Sequence, residues 1–207
     1  MTKLNNQTYV GRALFSTFDK EGILPLAKCL IQNNWEIYAT GGTANYLNQQ
    51  GCLAKPVEEL NGISPVLGGR VKTLDVKILG GLLWHKGNKK HDADAKKLQL
   101  EHFDLLVSSF YPFAKIAQTA TTYQDVVEFI DVGGPSMLRA AAKNHLSVIP
   151  LVEKKDYQIV IDELMQGDGL PHCVNINTRH YLALQAFNHL INYDKEISMF
   201  LNKMIAK

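Results

Sequence analysis

A glycine pair between two threonines, TGGT at residues 40–43, stands where a predicted strand gives way to a predicted helix. Consecutive glycines let backbone N–H groups turn toward a ligand, and a helix N-terminus adds partial positive charge. Thr40 and Thr43 can add hydroxyl donors. The segment matches neither the dinucleotide nor the triphosphate fingerprint. It therefore predicts either an anion-binding turn or a plain strand-to-helix turn with Thr43 as N-cap.

A second glycine pair follows a carboxylate in IDVGGPSMLRAAAKNH, residues 130–145. Pro135 suits the first turn of a helix, and Asp131 stands shortly before it. One interpretation is a binding site that uses Asp131 and Lys143; the plain one is a helix-terminal acid and a surface lysine. The alanines at 140–142 predict a closely packed helix. A lysine that follows them is less expected to be a solvent-exposed residue without a function.

Polar residues also follow two other predicted strands. Ser16 and Lys20 lie at and just after the end of the first strand, and Tyr111 follows the strand that ends in SFYPF, residues 109–113. Tyr111 is able to relay a proton or simply to close the core with its ring. Because the carboxyl ends of parallel strands meet at one edge of a sheet, we expect these segments to face one crevice.

Basic residues lie between two more glycine pairs in GGRVKTLDVKILGG, residues 68–81. The alternation of polar and apolar residues predicts a strand in the middle of this segment. The glycines predict turns or close backbone approach. The pattern alone leaves open both a solvated hairpin and a cradle for an anion.

Short apolar runs alternate with helical patterns along the first 152 residues. The predicted strands are 11–17, 35–40, 104–110 and 146–152, and the predicted helices are 22–33, 40–51, 92–102, 124–130 and 135–144. This alternation predicts an α/β fold with a mainly parallel sheet and helices on both faces. From about 153 the pattern is helical, and its last part is long enough for two helices. We expect a nucleotide-binding core at 1–152 and a helical appendage at 153–207 packed on it.

Composition bounds the class of function. Lys and Arg number 22 and Asp and Glu number 20 among 207 residues, and so small an excess (+2) argues against a nucleic-acid-binding protein. Three separated cysteines fit a reducing interior. The sequence has neither a signal-peptide pattern nor an apolar run that could cross a bilayer, so we expect a cytoplasmic protein. HExxH and GxSxG are absent, which argues against metal-dependent and serine hydrolysis.

Several of these motifs occur together, in the order TGGT, GGRVKTL, YPF, IDVGG and LRAAAKNH. In this order and spacing they resemble the IMP cyclohydrolase domain of the bifunctional AICAR transformylase/IMP cyclohydrolase family. The resemblance runs from about Ala13 to about Leu201. It implies a free-standing cyclohydrolase with the methylglyoxal-synthase-like α/β fold.

The resemblance also implies a reaction. In that family the carboxamide nitrogen of 5-formamido-imidazole-4-carboxamide ribotide attacks the formamido carbon, water leaves and IMP forms. Such an enzyme must hold a phosphate monoester, stabilise an oxyanion and move protons from nitrogen to oxygen. No metal or organic cofactor is implied. The implied partners are the purine ribotide, a second copy of the chain in a homodimer, and a separate AICAR formyl-transferring enzyme in the pathway, with no nucleic acid or membrane.

Carried over by position, the resemblance implies that four residues carry the chemistry. Lys72 would stabilise the oxyanion, Tyr111 and Asp131 would transfer protons, and Lys143 would tune or share a proton. The residues implied to bind the nucleotide are Ser16, Lys20, Thr40, Gly41, Gly42, Thr43, Arg70, Thr73, Ser109, Val132, Gly133 and Gly134.

The chain departs from the family's usual residues at Phe18, Asp75, Val76, Leu79 and Ser109. These departures keep open a non-catalytic purine-nucleotide-binding module of the same fold. A methylglyoxal-synthase-like lyase acting on a triose phosphate is a further alternative. It would share the phosphate-binding turn but would leave RVKTL and AAAKNH unexplained.

Overall fold

The fold, given by a computed structural model that describes residues 9–119 and 122–205, alternates strands and helices along most of its length. The strands are β1 (Arg12–Thr17), β2 (Glu36–Ala39), β3 (Lys55–Pro56), β4 (Leu105–Ser109) and β5 (Ile149–Leu151). The helices are α1 (Ile23–Gln32), α2 (Gly41–Gln49), α3 (Glu58–Asn61), α4 (Val76–Leu83), α5 (Lys89–Leu98), α6 (Phe113–Thr119), α7 (Tyr123–Glu128), α8 (Gly133–Lys143), α9 (Tyr157–Gln166) and α10 (Ile176–Ile205). Three-residue 3₁₀ turns lie at Leu67–Gly69, Lys154–Asp156 and Pro171–Cys173.

The strands form one sheet in the order β3-β2-β1-β4-β5, and every pairing is parallel. In the register Thr17 of β1 lies beside Ser109 of β4, and Phe15 lies beside Ala39 of β2. The carboxyl ends of β1, β2 and β4 are therefore neighbours at one edge. The predicted parallel α/β sheet is confirmed.

Helices cover both faces of the sheet, as predicted, because the strands are apolar on both sides. Ala13 and Phe15 of β1 pack into a core with α1, α2 and α9, while Leu14 between them packs into a second core with α4, α8 and α10. All three side chains are fully buried. The alternation along one strand thus serves two separate cores.

The C-terminal helices contribute to both cores. Helix α9 buries Val160 and Leu164 in the first core, and α10 buries Leu182 in the first and Leu190 and Tyr193 in the second. The last segment is one 30-residue helix and not the two that its length allowed, because no Gly or Pro interrupts it. The domain division at residue 152 stays a prediction.

The prediction of a strand in the middle of residues 68–81 was wrong. Its pairing is one isolated antiparallel bridge between Val66 and Val71, and residues from Val76 onward form α4. Asp75 starts this helix, since its carboxylate accepts a hydrogen bond from the Lys77 N–H at 2.7 Å. A local cap and burial on one helix face outweighed the alternating pattern.

Further elements also differ from expectation, among them the short helices α3 and α6, which were not predicted. The two-residue strand β3 was missed, because it is too short to show a period and holds a proline that only an edge strand tolerates. Helix α5 begins at Lys89, before the predicted start at 92, since the Asn88 side chain caps the N–H groups of Lys90 and His91. Among the described residues, no helix combines the length and the apolar composition needed to cross a membrane.

Candidate active site

A cavity of about 610 Å³ opens at the carboxyl ends of β1, β2 and β4 and is closed on its far side by the start of α8 and the segment before α4. All of the site residues expected from the sequence line it, except Gly41 and Lys143. The lining members are Ser16, Lys20, Thr40, Gly42, Thr43, Arg70, Lys72, Thr73, Ser109, Tyr111, Asp131, Val132, Gly133 and Gly134. Segments far apart in sequence thus meet in one crevice.

The turn into α2 leaves backbone donors free. Thr40 is the N-cap in an extended conformation, and no side chain caps this end. The N–H groups of Gly41 and Gly42 have no acceptor in the described parts of the chain, whereas those of Thr43 and Ala44 bond to the Thr40 carbonyl. A Cβ added to either glycine would meet nothing within 4 Å, so packing does not demand glycine there. The turn has the properties of an anion site.

Thr43 joins α2 to β1, whereas the sequence predicted either a donor to an anion or the N-cap of the helix. Its hydroxyl donates to the Thr17 carbonyl at 3.0 Å and accepts from the Thr17 N–H at 3.3 Å, so it fastens α2 to the end of β1. The alternative of Thr43 as N-cap was wrong, because the helix begins three residues earlier. Thr40 keeps a hydroxyl at the cavity and donates to Ser16 Oγ at 3.4 Å.

Two lysines bring positive charge to the cavity. The Lys20 ammonium donates to the carbonyls of Thr17 and Phe18 at 2.9 and 2.8 Å, which holds it beside the α2 turn. Burial lowers the pKa of Lys20; Asp19 opposes this shift, and the nearby positive charge of Lys72 adds to it. An anion bound between the lysines would relieve their mutual repulsion.

Asp131 is fixed at the start of α8. Its carboxylate accepts from the Gly134 N–H at 2.9 Å, and its own N–H donates to the hydroxyl oxygen of Tyr193 at 2.8 Å. A Cβ on Gly134 would lie 2.6 Å from this carboxylate and 2.9 Å from the Phe110 ring, so glycine is required there. Burial raises the pKa of Asp131, and the Gly134 N–H and Lys72 offset this only in part. A carboxyl held this way suits proton transfer.

The segment that carries Lys72 packs against the same helix start. Thr73 is buried, and a Cβ on Gly133 would collide with its hydroxyl oxygen. This close approach anchors the backbone beside the exposed Lys72 and leaves its long side chain free to reach the cavity.

Three aromatic rings form one wall of the cavity. Tyr111 lies between Phe18 and Phe129, with ring centroids 4.8 and 5.9 Å away. Each ring remains about two-fifths exposed, at 41%, 45% and 41% respectively. Within the part of the chain that the structure describes, the Tyr111 hydroxyl has no hydrogen-bond partner. This wall offers a flat apolar surface and one free phenol.

Arg70 and Ser109 are engaged by the protein itself. The Arg70 guanidinium pairs with the Glu128 carboxylate through two nitrogens, one of them at 3.2 Å. Ser109 orders the loop after β1, since its hydroxyl accepts from the Asp19 N–H at 3.1 Å and its carbonyl accepts from the Phe18 N–H at 3.1 Å. The Ser109 hydroxyl can still donate its own proton, and Nη1 of Arg70 takes no part in the pair with Glu128, so each residue keeps a donor for a ligand.

Lys143 lies apart from the other three catalytic candidates within this chain. Lys143 ends α8 whereas Gly133 begins it, so the helix separates them by about 15 Å along its axis. Its side chain is exposed and does not line the cavity. Lys72, Tyr111 and Asp131 are the catalytic candidates that line the cavity, and the role expected for Lys143 stays a prediction.

Of the five departures from the family pattern, three lie outside the cavity. Asp75 caps α4, Val76 is the first residue of that helix, and Leu79 packs against the second core. Phe18 and Ser109 line the cavity and do affect its shape.

Sequence reasoning missed two contributors. Tyr193, which fixes Asp131, stands 62 positions away on a helix whose pattern indicated only packing. Phe129 belongs to the aromatic wall, yet it follows α7 without any motif around it. A local motif search has no signal for either contact.

A model of the MGS-like domain matches residues 22–136, which is more than half of the chain. The chain belongs to the MGS-like domain family. This confirms the fold that the motifs implied. A second model, described as the AICARFT/IMPCHase bienzyme, matches residues 141–207 of the MGS-like chain.

Relatives of this MGS-like chain agree with both models. It is 43% identical over 192 residues to the bifunctional purine biosynthesis protein PurH of Clostridium botulinum (strain Langeland), and 40% identical over 195 residues to that of Aquifex aeolicus (strain VF5). These alignments cover 93% and 94% of the chain but only 38% of each relative. A solved structure titled "Crystal structure of ForH" is 34% identical, with a TM-score of 0.82 over 93% of this chain and 100% of the other. The predicted resemblance to the bifunctional family is confirmed.

Proposed function

We propose that this chain is an IMP cyclohydrolase of purine biosynthesis, which closes 5-formamido-imidazole-4-carboxamide ribotide to IMP with loss of water. The observation that carries the proposal is the meeting of an open helix N-terminus, two lysines, a fixed carboxyl of raised pKa and a free phenol in one cavity. Its volume of about 610 Å³ suits a nucleoside monophosphate.

The phosphate end of the ribotide belongs at the α2 turn. The free N–H groups of Gly41 and Gly42 and the helix dipole favour a dianion there. Lys20 supplies a full positive charge, and the hydroxyls of Ser16 and Thr40 supply further donors. Phosphate bound here leaves the base to extend toward α8.

The base end belongs between the aromatic wall and Lys72. The rings of Phe18, Tyr111 and Phe129 offer a flat surface for an imidazole that carries two planar amide groups. Lys72 neutralises the negative charge that develops on the former formyl oxygen when nitrogen attacks its carbon. Holding both amides in one plane makes the attack intramolecular, which is a large part of the catalysis.

Proton transfer completes the reaction. The carboxamide nitrogen forms the new C–N bond and loses one proton, the formamido nitrogen loses the other, and both leave with the formyl oxygen as water. Asp131 is the base in this scheme, and its raised pKa brings its proton affinity closer to that of the groups it serves. Tyr111, with its free hydroxyl, delivers a proton to the leaving oxygen.

The alternatives are a triose-phosphate lyase and a non-catalytic nucleotide-binding module. Incubation of the purified chain with the formylated ribotide, followed by the absorbance of IMP, separates the three. Turnover supports the cyclohydrolase. Nucleotide binding without turnover supports the module, and methylglyoxal release from a triose phosphate supports the lyase.

We also propose a homodimer and a cytoplasmic location, both expected from the sequence. Leu184, Phe187 and Ile191 form an exposed apolar stripe along α10 that a second copy could cover. Light scattering on the wild type and on Phe187→Asp tests this, and a wild-type monomer would contradict it.

A formyl-transferring enzyme must supply the substrate, because the ring closes onto a formyl carbon that is already attached.

A further inference from the structure

The loop between α9 and α10 brings together three side chains of metal-binding types. Asp168, His172 and Cys173 each offer one ligand atom, and these atoms all lie within 4.8 Å of one another. The Cys173 thiol donates to one oxygen of Asp168 at 3.0 Å, and Nε2 of His172 lies 3.5 Å from the other oxygen. The Asp168 carboxylate thus stands between a sulfur and an imidazole nitrogen.

These separations are close to what a tetrahedral metal requires. Zinc binds sulfur at about 2.3 Å and nitrogen or oxygen at about 2.0–2.2 Å, which sets neighbouring ligand atoms roughly 3.3–3.8 Å apart. A small adjustment of exposed side chains would reach that spacing. A set of one thiolate, one imidazole and one carboxylate favours Zn²⁺ over Mg²⁺ or Ca²⁺, which prefer oxygen ligands alone.

The loop backbone is held firmly under these side chains. The Trp35 indole N–H donates to the Gly169 carbonyl at 2.7 Å, and the Leu170 N–H donates to Asp168 at 3.2 Å. The Arg179 guanidinium donates to the carbonyls of Pro171 and Val174, the latter at 3.0 Å. A fixed backbone lowers the entropy lost when the three side chains close on an ion.

We propose that Asp168, His172 and Cys173 form a zinc site with a fourth position open to solvent. Binding displaces the proton of the Cys173 thiol to solvent, and the thiolate then takes the place of the hydrogen bond to Asp168. The side chains of His172 and Asp168 are 71% and 57% exposed, so water or a further ligand can complete the coordination.

The site is independent of the proposed reaction. Trp35, which anchors the loop, directly precedes β2, so the loop lies at the amino-terminal edge of the sheet. The cavity lies at the opposite edge. Zinc here would tie α9 to the start of α10 rather than take part in ring closure.

The test is metal binding by the full chain after chelator treatment under a phosphine reductant. Competition with a chromophoric zinc chelator should give one Zn²⁺ per chain, and Co²⁺ should give a thiolate-to-cobalt charge-transfer band. Cys173→Ser and His172→Ala should each abolish the band and weaken zinc binding at least about tenfold. Affinity should rise with pH, because a thiol proton is displaced.

His91→Ala is the matched control, since His91 is another exposed histidine near acidic groups and should leave binding unchanged. Metal-free melting curves of each variant show whether it is folded. No stoichiometric binding by the folded wild type overturns the proposal. So does binding that folded Cys173→Ser and His172→Ala leave intact, or that His91→Ala removes.

Discussion

Tyr111 and Phe18 lie with their ring centroids 4.8 Å apart and their planes tilted by 44° at the mouth of the cavity. Phe129 supports the other side of Tyr111 at 5.9 Å. Phe18 stands where the resembling family usually has a serine, so this chain replaces a small polar group with a ring that restricts the tyrosine. Tyr111 therefore has an aromatic ring on each side, and its phenol has no hydrogen bond within the described residues.

Removing the Phe18 ring should lower both rate and affinity. In Phe18→Ser, Tyr111 gains rotamer freedom and the base loses part of its stacking surface, so we expect kcat to fall about tenfold and IMP binding to weaken. Steady-state kinetics and titration calorimetry measure the two effects. Leu53→Ser, which removes an exposed apolar side chain outside both the cavity and the α10 stripe, is the control and should leave kcat unchanged. An unchanged kcat in Phe18→Ser would show that Tyr111 does not depend on its neighbour.

The raised pKa of Asp131 predicts both a pH profile and a stability effect. As a base, Asp131 should give a kcat/KM that rises through its folded pKa, above the ordinary range near 3.9. Asp131→Asn should abolish this limb and most of the activity.

Between the unfolded and folded pKa values the native state binds more protons, so stability falls as pH rises through that window. Asp131→Asn should therefore melt at least as high as the wild type at neutral pH, and a lower melting temperature would contradict this.

Tyr193 should act as a positioning residue for Asp131. Tyr193→Phe keeps the ring but removes the oxygen that accepts the Asp131 N–H at 2.8 Å. We expect a loss of stability of about 1–3 kcal/mol and a lower kcat, with the acidic limb of the pH profile shifted. Tyr181→Phe makes the same change on the same helix, where the hydroxyl donates to Asp156, and should leave the profile in place. A profile that does not move would reduce Tyr193 to a packing role.

A buried carboxylate at the start of β4 should govern acid stability. Asp104 is 3% exposed and accepts from the Tyr9 hydroxyl, from the Arg12 N–H at 2.9 Å and from Lys86 at 3.4 Å, with His102 at 3.2 Å. Burial raises the pKa of Asp104, but His102, Lys86 and Tyr9 together lower it further than burial raises it.

The stability that Asp104 contributes is present above its unfolded pKa and lost as pH falls through its folded pKa. Asp104→Asn should lower the free energy of unfolding at pH 7 by about 1–3 kcal/mol, since it removes the charge that strengthens the hydrogen bonds from Tyr9, Arg12 and Lys86. Denaturant melts of both proteins from neutral to acid pH measure this. The gap between them should narrow toward acid, and a constant gap would refute the charge argument.

How much of the fold the sequence predicts depends on whether a feature is set by neighbouring residues or by packing between distant segments. The cavity was predictable, because Ser16, Thr40 and Tyr111 lie at or just after the carboxyl ends of strands that a parallel sheet brings to one edge. The α4 helix was not, since the alternation in residues 68–81 satisfied a strand pattern until Asp75 capped a helix. Local pattern and cap compete, and only packing against the second core decides between them.

The residues of the candidate site were likewise predictable where they are close in sequence. Asp131 and Gly134 were predictable together, because one helix start holds both. Lys143 belongs to the same motif, but a helix that rises 1.5 Å per residue carries it to the far end of α8. Tyr193 contacts Asp131 only because the folded chain brings the two residues together, so no local sequence pattern predicts this contact.

The most direct test of the proposed ring closure is IMP formation from the formylated ribotide by the purified chain. Wild type should turn over, while Lys72→Ala and Tyr111→Phe should each lower kcat by roughly 10²–10³ and leave IMP affinity nearly unchanged. Lys97→Ala, which alters an exposed lysine of α5 outside the cavity, is the control and should keep most of the activity. Binding of IMP without turnover by the wild type, or variants that change only KM, would contradict the account.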